Sequence, residues 1–212
     1  DYGFELNEFD PFFNYRATQF IVDNGLVEYF DWHDDRSWYP YGRNVSETSQ
    51  VMLHVTAATL YPVFGMGSDL YDFTIMFPVV FSSLSVIVIF ALVRVFAGTT
   101  SGLFASLFFA VSLPIILRGT LGWFKSEPLG VFFALLALYL FFSGIKYNKG
   151  KISFVKIIVG ALFFAFALSA WGGTQFFILP LGLFFFALPF LRDDHRFIIW
   201  AIPLFSFSSA RE

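Results

Sequence analysis

Four stretches with no charged side chain constrain this chain more than any other feature: residues 73–93, 95–117, 128–145 and 157–191. Crossing a hydrocarbon core of about 30 Å takes roughly 20 residues at 1.5 Å each, so the first three runs each span once. As one helix the fourth would be about 52 Å long, more than the core requires, and it must be two passes. Trp171-Gly172-Gly173 is the natural break, because glycine permits positive φ and Trp prefers the interface. A shorter run at 197–210 reads as part of a further span. The expected architecture is an all-α polytopic membrane protein, with spans near 73–93, 95–117, 128–145, 152–170, 174–191 and 197–210.

Composition agrees: 57% of residues are hydrophobic, 14% are charged and 33 are Phe, against about 45–50% apolar and 25% charged in soluble domains. With 13 basic and 16 acidic residues the net charge is −3, which gives no basic footprint for nucleic acid. The chain has no Cys, which excludes disulfides and thiolate zinc sites.

The few charges are unevenly placed. Residues 1–72 carry 12 of the 16 acids and only three basic residues, Arg16, Arg36 and Arg43. Alternating passes put Arg94, the group Lys146, Lys149, Lys151 and Lys156, and Arg192 with Arg196 on one side of the membrane. The acidic segment 1–72, the 118–127 loop and the Trp171 turn fall on the other. Basic short loops mark the cytoplasm, so the acidic segment and the 118–127 loop face outward together. A helix before Asp1 is then expected, if the intact protein starts in the cytoplasm.

Within the outer segment, Asp10 and Pro11 read as N-cap and first turn of a surface helix that ends at Asn24-Gly25, with Phe13, Ala17, Phe20 and Ile21 on one face. Residues 32–43 crowd aromatics, acids and two Arg, and suit either an interfacial aromatic belt with ion pairs or a ligand site. His33, Asp34 and Asp35 are adjacent, which is a weak signal for a metal. Asn44-Val45-Ser46 matches the N-glycosylation acceptor pattern. Glu127 stands at the edge of an apolar run, where a charge needs a partner or a use; the nearest basic residue is Lys125. Asp10 and Glu127, on segments sharing one surface, could together ligate a hard divalent cation such as Mg²⁺ or Mn²⁺, with at least one further ligand. Arg118 suits either a carrier phosphate or a lipid headgroup.

The stretch Glu8-Phe9-Asp10-Pro11-Phe12-Phe13-Asn14-Tyr15-Arg16, followed by Asp34-Asp35-Arg36-Ser37-Trp38-Tyr39-Pro40-Tyr41-Gly42-Arg43, closely resembles the first outer loop of the oligosaccharyltransferase catalytic subunit. Arg118 to Phe124 and Ser169-Ala170-Trp171-Gly172-Gly173 follow in the same order, so the resemblance covers nearly the whole chain. It implies a lipid-sugar-dependent (GT-C type) glycosyltransferase bundle. It further implies transfer of an oligosaccharide from a polyprenyl (di)phosphate carrier to Asn in Asn-x-Ser/Thr sequons of an acceptor protein, on the outer membrane face. In that family the first-loop acid is a catalytic metal ligand, a role that falls on Asp10. The second acidic motif aligns with Lys125-Ser126-Glu127, so Glu127 matches its second acid and Lys125 stands where the first should be.

Three readings of Lys125 follow: metal binding through Asp10, Glu127 and a later acid; a substrate-binding Lys that stands in for the cation near the leaving phosphate; or a paralogue with impaired transfer. The alternatives are a related enzyme, such as a protein O-mannosyltransferase or an arabinosyltransferase, a non-catalytic subunit, or a transporter. Charges clustered outside the spans disfavour the last. The resemblance also predicts a later outer acidic motif and a soluble C-terminal domain that reads the sequon, neither of which is in this sequence. Compact loops and the lack of Cys fit an archaeal plasma membrane, with the endoplasmic reticulum membrane as the eukaryotic equivalent.

Overall fold

A computed structural model describes residues 3–147 and 150–191, with Ile202, Pro203 and Phe205 beyond them. The expected span at 197–210 and the residues Lys149, Arg192 and Arg196 therefore lie outside the described residues, those three positions excepted. The described chain is mostly helical. It falls into an outer layer of short elements and a bundle of long apolar helices.

The outer layer runs α1 (Phe9–Asn24), α2 (Leu26–Phe30), a two-stranded antiparallel hairpin of β1 (His33–Asp34) and β2 (Arg43–Asn44), α3 (Val45–Thr48) and α4 (Val51–Phe64). Helix α1 turns Ala17 and Ile21 toward α4, where they meet Ala58 and the fully buried Tyr29 and Val45. Its start differs from the expectation. Glu8, and not Asp10, is the N-cap residue, and its side chain makes no cap hydrogen bond, so Asp10 lies inside the first turn.

Among the described residues, three helices are long and apolar enough to cross a membrane: α5 (Leu70–Ala110), α7 (Ser126–Tyr147) and α8 (Lys151–Ala170). Helix α5 joins the two runs that Arg94 separates in sequence, and it reverses at Gly98, where φ is 84°. Beyond that point it returns along its own first half. A Cβ on Gly102 would lie 2.9 Å from the carbonyl oxygen of Phe90, and one on Gly119 would lie 2.6 Å from Ser82 Oγ. Arg94 stays helical because nothing in its backbone favours a turn, whereas glycine takes positive φ without a steric cost. The short α6 (Leu113–Arg118) follows, then the outer loop that leads into α7.

Helix α7 is the hub and packs against both α5 and α8. Phe133 on α7 stacks on Phe163 of α8 at 5.6 Å between centroids and also meets Phe81 of α5. Helix α8 ends at Ala170, Trp171 is extended, and a 3-10 turn over Gly172–Phe177 leads into α9 (Ile178–Leu191). Trp171 is clamped on two sides. A Cβ on Gly130 of α7 would lie 2.4 Å from the Trp171 Cβ, and one on Gly173 would lie 2.3 Å from its indole ring.

Candidate functional site

The outer segment is fastened to the 119–125 loop by backbone geometry that only glycine allows. Gly122 sits at φ +77°, and a Cβ there would lie 2.2 Å from the carbonyl oxygen of Glu5. Its N–H donates to the carbonyl of Ile75 at 3.1 Å, and its own carbonyl accepts from the Asn7 N–H at 3.2 Å. The Asn7 side chain donates to the Leu121 carbonyl at 2.7 Å. Residues 5–7 thereby place Glu8 and Asp10 over the start of α7.

A second fastening is buried. Asn14 Nδ2 donates to the Phe124 carbonyl at 2.9 Å, which leaves Asn14 Oδ1 to accept from His54 Nε2 at 3.0 Å. His54 Nδ1 then accepts from the Tyr29 hydroxyl at 2.7 Å. These roles follow from the fixed acceptor at Phe124 and define a neutral imidazole protonated at Nε2. Complete burial, with the charge of Arg43 adding to it, pushes the His54 pKa down to about 3. Burial raises that of Tyr29.

The charged side chains above this framework pair across the two segments. Lys125 Nζ donates to Glu8 Oε2 at 2.6 Å and lies 3.0 Å from Asp10 Oδ2. It also sits 4.4 Å from the centre of the Trp123 ring. Burial works against the Lys125 charge, but hydrogen bonds to Glu8 and Asp10 and their negative charges outweigh it and raise the pKa above the usual lysine value. Arg118 donates to Glu127 Oε1 at 3.1 Å and also lies over the Trp123 ring, 4.7 Å from its centre. Glu127 thus pairs with Arg118 and not with its neighbour Lys125, because entry into α7 separates the two side chains. Glu127 Oε2 is buried and has no hydrogen-bond partner.

Two cavities meet at Glu127. One, of about 290 Å³ and mostly polar, is lined by Asp10, Asn14, Arg43, Lys125, Glu127 and Trp171 among others. The other, of about 470 Å³ and mostly apolar, lies between both halves of α5, α6 and α7, with Phe109, Ile115, Arg118, Val131, Glu127 and Trp171 in its wall. Glu127 and Trp171 line both. All four residues expected at the site are accordingly brought to one place, with Asp10 and Lys125 on the polar side and Arg118 on the apolar side.

Sequence reasoning missed Glu8, Arg43 and Asn14. Arg43 stacks 3.7 Å from the centre of the Phe13 ring and 4.9 Å from that of Trp38, and burial lowers its pKa. A Glu two residues before Asp10 was a visible signal for a second acid; nothing local marked Asn14. The 32–43 cluster resolves into structural contacts. Asp34 is buried, pairs with Arg16 and accepts from Ser37 and the Arg36 N–H. His33 bonds to Asn44 Oδ1 at 2.8 Å and to the Tyr41 carbonyl at 3.1 Å. Among the described residues, no three His, Cys, Asp or Glu side chains converge in a way that would hold a metal ion.

Residues 2–207 match the family model described as "Oligosaccharyl transferase STT3, N-terminal". The chain is 31% identical over 189 residues to the dolichyl-diphosphooligosaccharide–protein glycosyltransferase subunit STT3 of Saccharomyces cerevisiae, covering 86% of this chain and 26% of that protein. It is likewise 31% identical over 176 residues to the subunit stt-3 of Caenorhabditis elegans, covering 82% and 23%. The chain therefore spans about a quarter of the length of the curated relatives it matches. Among solved structures, the Archaeoglobus fulgidus oligosaccharyltransferase in complex with Zn and sulfate superposes with a TM-score of 0.79 at 20% identity, covering 97% of this chain and 27% of that one. The archaeal oligosaccharyltransferase AglB of the same organism, in complex with an inhibitory peptide and a dolichol-phosphate, gives 0.77 at 19% identity, covering 97% and 25%.

Proposed function

Because the chain belongs to the oligosaccharyl transferase STT3 family, we propose that its outer face is part of the site at which an oligosaccharide passes from a polyprenyl (di)phosphate carrier to the Asn of an Asn-x-Ser/Thr sequon. One observation carries this reading: Glu127 stands in the shared wall of a polar cavity that also holds Asp10 and an apolar cavity that also holds Arg118. Donor and acceptor can then approach one carboxylate from opposite sides. By the positive-inside rule, Arg94, Lys146, Lys151 and Lys156 put the other end of the bundle in the cytoplasm. The membrane is an archaeal plasma membrane, or that of the endoplasmic reticulum in a eukaryote.

An amide nitrogen is a poor nucleophile because its lone pair is delocalised into the carbonyl. Carboxylates that accept one N–H each weaken that conjugation and strengthen their hold as positive charge develops on nitrogen. Glu127 Oε2, buried and unpartnered, is set to accept one such N–H, and Asp10, with a side chain 74% exposed, can accept the other. Arg118 is placed for the carrier phosphate, and its planar guanidinium can hold Glu127 and a phosphate oxygen together. The apolar wall of Phe109, Ile115 and Val131 suits the first isoprene units of the carrier.

A divalent cation, Mg²⁺ or Mn²⁺, would call on Asp10 and Glu127 as oxygen ligands. As arranged, the residues do not fit it: Asp10 and Glu8 hold the Lys125 ammonium, and Glu127 holds Arg118. At about 4 Å a unit charge and a divalent ion repel by roughly 8 kcal/mol at an effective dielectric of about 20, before solvent screening reduces it. No step is therefore assigned to a metal here. Lys125 also favours a second reading, a paralogue with impaired transfer.

The test is glycan transfer by the full-length protein from a lipid-linked oligosaccharide to a sequon peptide. Asp10→Ala should lower transfer by about 10²–10³-fold with folding intact, the scale on which removal of one stabilising group acts. Wild-type transfer by this variant would sink the assignment. A large gain in Lys125→Asp would favour the impaired paralogue.

A further inference from the structure

We propose that Lys125 is itself the resident cation between Glu8 and Asp10, and that its ammonium occupies the position a divalent ion would take on this side of the cleft. Its functional meaning rests on reading the Asp10–Glu127 cleft as the reaction site.

Four observations converge. The ammonium is within hydrogen-bond reach of both carboxylates, at 2.6 Å and 3.0 Å, and these two acids lie 117 and 115 positions away in sequence. An ammonium has three donors, and two acceptors here are anionic, as the oxygen ligands of a hard cation are. The side chain is only 14% exposed and rests against the Trp123 face, so it is held in place and is not a solvated tether. The remaining acid, Glu127, is engaged by Arg118. Each carboxylate at the cleft thus already has a cation built into the chain, and an incoming metal would have to displace one that is covalently attached.

An ammonium and a divalent ion differ in a measurable way: only the second can be titrated in. With full-length protein in nanodiscs, and neither donor nor acceptor present, Mn²⁺ binding is followed by the electron paramagnetic resonance of the free ion. Wild type and Asp10→Asn should bind Mn²⁺ equally weakly. Lys125→Asp replaces a positive charge by an oxygen ligand and should bind about 10–100-fold tighter, the scale on which changed surroundings alter metal affinity. The gain should vanish in the double variant Lys125→Asp with Asp10→Asn.

Tighter Mn²⁺ binding by wild type than by Asp10→Asn, by tenfold or more, would overturn the proposal, as would a folded Lys125→Asp protein with no gain. Should Lys125→Asp fail to fold, Lys125→Gln removes the charge without adding a ligand, and a smaller gain that needs Asp10 is expected. Failure of the transferase reading is told apart by the transfer assay: a protein inactive in every variant, yet showing this binding pattern, loses that reading and keeps the resident cation.

Discussion

The outer segment, residues 3–64, and the bundle beneath it are held together by different kinds of contact. In the bundle, Phe77, Phe81, Phe124, Phe132 and Phe133 meet edge to face or tilted at 4.5–6.5 Å. Such contacts are many, individually weak and tolerant of direction. In the outer segment a few directional bonds decide the arrangement: Asn14 to Phe124 and His54, Asn7 to Leu121 and Gly122, and Lys125 to Glu8. Replacing a ring in the bundle by an apolar side chain of similar size keeps its neighbours in contact. Loss of one buried donor or acceptor leaves its partner unsatisfied, which costs the full desolvation of that group. The lower layer is therefore a forgiving scaffold, and the upper one a fitted part that fixes where the acids lie.

The largest test of this contrast is Gly122→Ala. Positive φ costs a residue with a Cβ about 1–2 kcal/mol, and overpacking against the Glu5 carbonyl adds about 1–3 kcal/mol. The outer segment should detach: protease cleavage within residues 3–24 should rise at least tenfold while the bundle stays resistant. Unchanged cleavage would mean that the two layers are not joined at this point.

Acid should loosen the same joint by a smaller amount. The folded pKa of His54, about 3, lies below its unfolded value of 6.5, so the unfolded segment binds the proton first. The neutral imidazole contributes its full stability above pH 6.5, and that contribution is lost as pH falls toward 3, by about 1.4 kcal/mol per unit. At pH 4.5 the loss is on the order of 2–3 kcal/mol. Protease sensitivity of the outer segment should increase from pH 7 to 4.5 in wild type, and this part of the slope should disappear in His54→Gln.

The smallest effect is expected in the bundle. Phe133→Leu keeps an apolar group among Phe81, Phe163 and Phe166 and should cost about 1 kcal/mol, seen as a small drop in the thermal midpoint in detergent with transfer unchanged. A loss as large as that of Gly122→Ala would erase the distinction between fitted and forgiving layers.

The uncharged runs, the excess of acids before residue 73 and the Trp171-Gly172-Gly173 break were legible in the sequence, because lipid imposes length and charge rules that a linear reading can apply. The reversal in α5 was legible only in outline. Arg94 marked the end of an apolar run, but the turn lies four residues on at Gly98, where backbone freedom and not charge decides. Asp10 and Glu127 were visible as candidate acids through their motif and their position at an apolar edge.

Their partners were not visible. Lys125 is two residues from Glu127 in sequence, yet it pairs with Glu8 and Asp10, while Arg118 reaches Glu127. Sequence alone settled that this chain is a membrane-embedded helical protein with 12 of its 16 acids in the first 72 residues. Only the tertiary structure decided which charge meets which, because an ion pair between segments more than 100 residues apart leaves no periodicity in either one. It is set by the backbone hydrogen bonds at Gly122 and the buried Asn14–Phe124 contact that bring those segments together.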